Sequence, residues 1–229
     1  MAETQNKLNE MAFNNTNYRK PFIWCFLGKS HSGKTVTARQ IAARWKESRK
    51  GTNAKIIAFD QQRQFTDLVD ISISKKDEDW ALLLQTKDKF GNYIFKGSLL
   101  ILDDYKGLLE GSQMDPDFYD VLALRLFDVI YITHSPNLIL KGLQYWNSRF
   151  QIFLNEAIPS DFQEKIPQAS VCQRASLVVN EYVRRLGGVD SPTYKNLYPN
   201  FPQALVTDES NVVTFLNMDE DIIQSLQLT

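Results

Sequence analysis

Apolar residues in this chain come in short unbroken runs, separated by polar stretches with helical spacing. Phe22-Ile23-Trp24-Cys25-Phe26-Leu27 is wholly apolar and stops at Gly28, the pattern of a strand buried on both faces of a parallel sheet. Beyond a glycine-containing loop, Ala38, Ile41, Ala42 and Trp45 fall at i, i+3, i+4 and i+7, which predicts one apolar face of a helix that Gly51 ends. Strand followed by helix is the opening of a βαβ unit. Lys55 to Asp60, Ser98 to Asp103, Val129 to Thr133 and Phe150 to Leu154 repeat the buried-strand pattern. Five such strands with intervening helices predict a layered α/β domain, and right-handed crossovers make most of the strands parallel.

The remaining segments carry weaker signals. Asp115-Pro116 supplies an N-cap and a first-turn proline for a helix over 117–127. Trp80 to Leu84 reads as a short helix and Phe90-Gly91-Asn92-Tyr93 as a turn between short strands. Ala169 to Leu186 favours helix, closed by Gly187-Gly188, and Leu205-Val206-Thr207 with Val212 to Phe215 flank a four-residue turn suited to a hairpin. Residues 1–19 hold five asparagines and no sustained period, and read as a flexible polar arm ahead of a domain spanning 20–229.

Composition narrows the class. With 229 residues, 43% hydrophobic and 23% charged, the chain matches ordinary globular usage, so fibrous and wholly disordered readings are excluded. The absence of an apolar stretch of about 18 residues argues against a membrane span, and the polar start argues against a secretory signal, so a cytoplasmic place of action is expected. Cys25 and Cys172 are too few and too far apart for a disulfide framework or a zinc site. The net charge of −1 conceals an asymmetry: residues 1–106 carry +6 and the remainder −7, a basic portion able to help hold phosphates of nucleotide or nucleic acid.

The chemistry-bearing motif is Gly28-Lys29-Ser30-His31-Ser32-Gly33-Lys34-Thr35, a complete G-x-x-x-x-G-K-[ST] sequence between a predicted buried strand and a predicted helix. That context marks a phosphate-binding P-loop. Its glycines let the backbone wrap phosphate oxygens, and the helix N-terminus aims its free N–H groups and dipole at them. Lys34 is expected to reach the β and γ phosphates, and Thr35 to ligate Mg²⁺. Asp103 closes an apolar strand 75 residues after Gly28 and is the expected magnesium partner. Asp104 follows it, where a carboxylate can polarise the attacking water. ATP is favoured over GTP, because no Asn-Lys-x-Asp or Thr-Lys-x-Asp guanine reader occurs; Thr86-Lys87-Asp88-Lys89 has lysine where the aspartate must be.

The stretch after the second motif narrows the family. Residues 123–136 read as helix, strand, the polar pair Thr133-His134 and a proline, and Trp146-Asn147-Ser148-Arg149-Phe150 returns to a strand through an arginine. Together with Asp60 at its strand end, this resembles the FtsK–HerA superfamily of DNA-pumping ATPases over roughly Pro21 to Glu156, and within it the genome-packaging ATPases of tailless, often membrane-containing viruses and phages.

The resemblance implies a three-layer P-loop NTPase with a mainly parallel central sheet, carrying a C-terminal helix and β-hairpin. It further implies an oligomeric ring around DNA, ATP hydrolysis coupled to translocation, action in the host cytoplasm or with the virion, and a capsid vertex or portal protein as partner. His134 takes the place of the γ-phosphate sensor and Arg149, or Arg125, that of an arginine supplied in trans. Two positions depart from the family pattern, Asp104 for the usual Glu and His134 for the usual Gln. The rival readings are a Zot-like phage assembly ATPase, a nucleotide-gated structural subunit with little turnover, and a small-molecule kinase, the last disfavoured by the lack of an Arg-rich lid. The four tryptophans are expected in packing, and Arg39, Arg44, Lys46, Arg49 and Lys50 on the solvated face of their helix.

Overall fold

A computed structural model describes residues 21–60, 62–73, 80–103, 109–110, 113–114, 121, 126–134, 147–153, 168–207 and 213–227. Its elements are β1 (Phe22–Leu27), α1 (Lys34–Ser48), β2 (Ile56–Asp60), β3 (Ile71–Ser72), α2 (Trp80–Leu84), β4 (Leu99–Asp103), β5 (Leu109–Glu110), β6 (Gln113–Met114), β7 (Asp128–Thr133), β8 (Asn147–Ile152), α3 (Ala169–Arg185), α4 (Pro192–Lys195), β9 (Gln203–Thr207), β10 (Val213–Leu216) and α5 (Glu220–Gln227). Eight strands are hydrogen-bonded in the order β10-β9-β8-β1-β7-β4-β2-β3, and β5 and β6 form a separate two-stranded sheet among the described residues. The sheet is mixed and mostly parallel, with helices flanking it, so the expected α/β class holds. β2 runs parallel to β4 and β3, whereas β9 is antiparallel to both of its neighbours, β8 and β10. Every residue of β1, β2, β4 and β7 is buried, which is why their sequences show apolar runs and no alternation.

The chain forms two compact units, one running to Ile23 and from Ala38 to Tyr131, the other comprising Trp24–Thr37 and Ile132–Thr229. In the first, Ala38, Ile41, Ala42 and Trp45 of α1 are buried as their spacing predicts. The Trp45 indole N–H donates to Asp128 Oδ2 at 2.9 Å, and the Phe22 amide to Asp128 Oδ1 at 3.3 Å, so this buried carboxylate at the start of β7 has both oxygens engaged. Asp70 Oδ2 likewise accepts the amide of Ile56 at 2.8 Å. The Trp80 ring meets Phe59 edge-on at 5.4 Å.

In the second unit, the Trp24 indole donates to Gln151 Oε1 at 3.0 Å, and Gln151 Nε2 donates to Gln203 Oε1 at 2.7 Å. Two buried amides thereby partner each other and an indole, as buried polar groups must. α3 buries Cys172, Ala175, Ser176, Val179 and Val183 along one face, the 3.6-residue stripe of a core-facing helix. Gly187 and Gly188 end it with φ of +87° and +84°. The hairpin of β9 and β10 pairs Val213 with Val206 through Leu216 with Gln203, matching the expectation for that region. α4 and α5 are additions that the hydrophobic pattern did not signal. Cys25 and Cys172 are both buried, and burial pushes their thiols well above the usual range, so they behave as small apolar residues. The expected arm, most of the helix over 117–127, Trp146 and the hairpin turn lie outside the described residues.

Candidate nucleotide site

The residues from Leu27 to Thr37 form one continuous bend between strand and helix. At its entry, the Phe153 amide donates to Leu27 O at 2.9 Å and the Gly28 amide to Thr133 O at 3.4 Å, tying the loop's start to the ends of β8 and β7. At its exit, the Thr37 amide donates to Gly33 O at 3.0 Å, the first helical bond of α1. Between them, Lys29 O is the loop's internal anchor. It accepts from the Ser32 amide at 3.3 Å, Ser32 Oγ at 2.8 Å and Lys34 Nζ at 2.8 Å. Lys29, Ser30 and His31 are exposed, whereas Ser32 and Lys34 are buried and Gly33 and Thr35 half-buried.

Two positions in the loop need a left-handed backbone. Gly33 has φ of +98°, and a Cβ there would lie 2.3 Å from Phe201 Cδ2, so conformation and space both require glycine. His31 has φ of +63°, an uncommon state for a residue with a side chain.

Lys34 Nζ stands 3.0 Å from His134 Nδ1. An ammonium can only donate, so Nδ1 accepts and the ring's proton sits on Nε2. The sequence-predicted Lys34 and His134 are therefore brought together, one hundred residues apart in the chain, at the C-terminal ends of β1 and β7. Ligands of open α/β sheets gather at such strand ends.

Asp103 belongs to the first unit, as the buried last residue of β4, and is in register with Asp60 of β2. Asp60 is committed to the turn after its strand. Its two oxygens accept the amides of Gln64 at 2.9 Å and Phe65 at 2.7 Å. Arg149 pairs with Thr207 in the β8–β9 register, and its guanidinium lies 5.4 Å from the centre of the Trp24 ring. Asp104 and Arg125 lie outside the described residues. Thr35 opens the second residue of α1, in the loop's last position. On the basic face of α1, Arg39 pairs with Asp67 at 2.7 Å, Lys46 with Asp70 at 3.3 Å and Lys50 with Glu47 at 3.3 Å, which makes most of that face a locally neutralised surface.

Two residues that sequence reasoning missed hold the loop from the far end of the chain. Tyr194 donates its hydroxyl to Ser32 O at 3.2 Å, and burial pushes its phenol up to about 12. Phe201 packs beneath Gly33 and stacks on Tyr194 with ring centres 5.2 Å apart. The recurrence of Tyr194, Tyr198 and Phe201 at steps of four and three in a Gly-Gly and Pro-punctuated stretch was the available signal.

A loop of this form between a buried interior strand of a mostly parallel sheet and a helix defines a P-loop NTPase fold. No known family matches the chain by sequence, and no curated protein does. Among solved structures, the genome packaging NTPase B204 of Sulfolobus turreted icosahedral virus 2 in complex with AMPPCP is similar over 88% of this chain and 100% of its own, at TM-score 0.54 and 12% identity. The same NTPase in complex with AMP gives TM-score 0.52 and 12% identity over 86% and 98%. The cytoplasmic domain of the type VII secretion ATPase EccC of Thermomonospora curvata gives TM-score 0.50 and 14% identity, over 86% of this chain and 23% of that one. At these identities the likeness is one of fold, and the fold is the one the FtsK–HerA resemblance implied.

Proposed function

We propose that this protein binds and hydrolyses ATP with Mg²⁺ and works as one subunit of an oligomeric ring that moves DNA, in the manner of a viral genome-packaging ATPase. The observation that carries the reading is the pairing of Lys34 with His134 at 3.0 Å on a P-loop. Lys34 Nζ donates to Lys29 O at 2.8 Å and lies 3.0 Å from His134 Nδ1. A triphosphate takes the ammonium onto its β and γ oxygens, where the charge on the acceptor adds to that on the donor. His134, relieved of Lys34, is left able to donate from Nε2 to the γ-phosphoryl group. Water then attacks the γ phosphorus, the bond to the β–γ bridging oxygen breaks, and ADP leaves. Asp104 is the proposed acceptor of the water's proton.

Thr35 and Asp103 supply a hydroxyl and a carboxylate, the hard oxygen donors that Mg²⁺ prefers. Such an ion takes only one or two protein ligands beside phosphates and water, so donors of this kind suit it. When bound, it neutralises charge on the β and γ oxygens.

Arg149 remains the first candidate for the arginine in trans, with Arg125 second. Where such arginines act, they are worth about 10³–10⁵ in rate. Capsid vertex or portal protein is the proposed docking partner, and host cytoplasm or virion the place of action. One sequence feature favours a second reading, a nucleotide-gated structural subunit: Asp104 is shorter by one methylene than the glutamate usual at that position.

The test is ATP hydrolysis by an Arg149→Ala protein, alone and mixed with Lys34→Ala. Each alone is expected to be nearly inactive while Arg149→Ala still binds ATP. Mixing restores part of the rate, because some interfaces then pair an intact Lys34 with an intact Arg149. No recovery despite demonstrated co-assembly rejects Arg149 as the trans residue. DNA should raise the parent's rate, with the stimulation fading as salt screens phosphate contacts; indifference to DNA in a proven oligomer favours the structural subunit.

A further inference from the structure

Beside the exposed turn of the loop lies a cavity of about 390 Å³ whose lining includes His31, Asp190, Tyr194, Lys195, Tyr198 and Phe201. All of it belongs to the second unit. The volume falls within the range of small-molecule sites, which are mostly apolar with a few polar groups.

Three rings make up its aromatic wall, and they have different freedoms. Tyr194 and Phe201 are stacked and locked to the phosphate loop, one through Ser32 O and the other beneath Gly33. Tyr198 meets Phe201 edge-on at 6.1 Å yet is 66% exposed. A lone exposed tyrosine needs no explanation. Here, however, the exposed ring lines a cavity whose floor is the pair gripping the phosphate loop, and the loop residue facing that cavity is His31, held in a left-handed conformation. An outlying backbone state at a ligand loop is an observation from which function can be argued. The rim adds Asp190 and Lys195, 3.9 Å apart and exposed, a donor and an acceptor suited to hydroxyl groups.

We propose that this cavity is the nucleobase and ribose subsite of the same nucleotide site, with Tyr198 and His31 stacking on the base. The inference rests on the nucleotide reading above. It assigns to residues 189–201 a role the loop motif does not contain: the segment that buttresses the phosphate loop also selects for a planar aromatic ring beside it. A π face recognises any base. The carboxylate at hand, Asp190, has a side chain that is 97% exposed and paired with Lys195, so it cannot read a guanine edge as a buried acid would. Stacking therefore dominates, and discrimination between adenine and guanine is weak.

The experiment compares ATP, GTP and inorganic tripolyphosphate by calorimetric titration on the parent, Tyr198→Ala, Tyr198→Phe and His31→Asn. Asparagine keeps the left-handed backbone at position 31 accessible, and melting curves confirm that each variant is folded. One stacked ring contributes about 5- to 150-fold in affinity. Tyr198→Ala is expected to lose that factor for ATP and GTP alike and nothing for tripolyphosphate, while Tyr198→Phe retains the parent's affinity. His31→Asn should also weaken the nucleotides more than tripolyphosphate. Unchanged ATP affinity in both Tyr198→Ala and His31→Asn, or equal losses for ATP and tripolyphosphate, overturns the subsite while leaving the P-loop reading intact. Failure of the parent to bind either ATP or tripolyphosphate removes the nucleotide reading itself, and the subsite with it.

Discussion

Replacing Gly33 by alanine perturbs the loop in two separable ways. The backbone at φ +98° is one that a residue with a Cβ adopts only under strain, about 1–3 kcal/mol. The new methyl also starts 2.3 Å from Phe201 Cδ2, 2.8 Å from Cγ and 3.0 Å from Cβ, too close for the ring to stay. Overpacking of this kind costs about 1–3 kcal/mol, so Gly33→Ala should lose about 2–6 kcal/mol in all. Phe201→Ala removes a ring that is only 8% exposed, at about 3–5 kcal/mol. In the double variant the methyl enters space the ring has left, and only the backbone strain remains. The losses should then fall short of additivity by about 1–3 kcal/mol, the clash part. Urea denaturation of the parent, both single variants and the double variant measures this coupling, with an unchanged slope showing that the unfolded state is comparable. Additivity within about 0.5 kcal/mol, the usual behaviour of sites with no contact, would refute the claim that Phe201 supports the phosphate loop.

Two further outcomes are expected. Tyr194→Phe leaves Ser32 O without its donor, at about 1–3 kcal/mol. It also changes the alkaline limb: because the folded phenol is raised to about 12 and an unfolded one ionises near 10, the unfolded state releases its proton first and the parent loses stability between those values. The variant should lack that loss, and denaturation at pH 9 and pH 11.5 compares the two. His134→Ala should lower ATP turnover by at least about tenfold, and His134→Gln, whose amide oxygen can still accept from Lys34, should retain more of it; equal rates in both variants and the parent would remove His134 from the mechanism.

The parts of this fold that could be read in the sequence are those whose signal is local. β1, β2, β4 and β7 are buried on both faces, so each is an apolar run, and their ends fall within one or two residues of the runs. The loop is legible for a related reason: phosphate wrapping demands glycine and lysine at set spacings within eight residues. What could not be read depends on distant contacts. Tyr194 reaches Ser32 across 162 residues, and the regular spacing of Tyr194, Tyr198 and Phe201 does not say which distant segment they meet. The stacking of Arg149 on Trp24 is equally non-local. β3, with two residues, is too short for any period to show. α5 was overlooked although its cap was visible: Asp219 Oδ1 accepts the amides of Asp221 and Ile222 at 3.0 and 3.2 Å, with Glu220 and Asp221 in the first turn as the helix dipole favours.

The central claim is that Lys34 serves phosphate and not the core, and steady-state ATP hydrolysis of the parent beside Lys34→Ala tests it most directly. Lys34 is buried, and its ammonium reaches Lys29 O within the loop and His134 Nδ1 at the end of β7. Circular dichroism and melting should therefore show a folded variant. Phosphate release by the parent is expected, with a rate lower by about 10²-fold or more in Lys34→Ala, the scale on which a preorganised donor to transition-state charge acts. Rates within tenfold of each other, in two proteins shown to be folded, would contradict it.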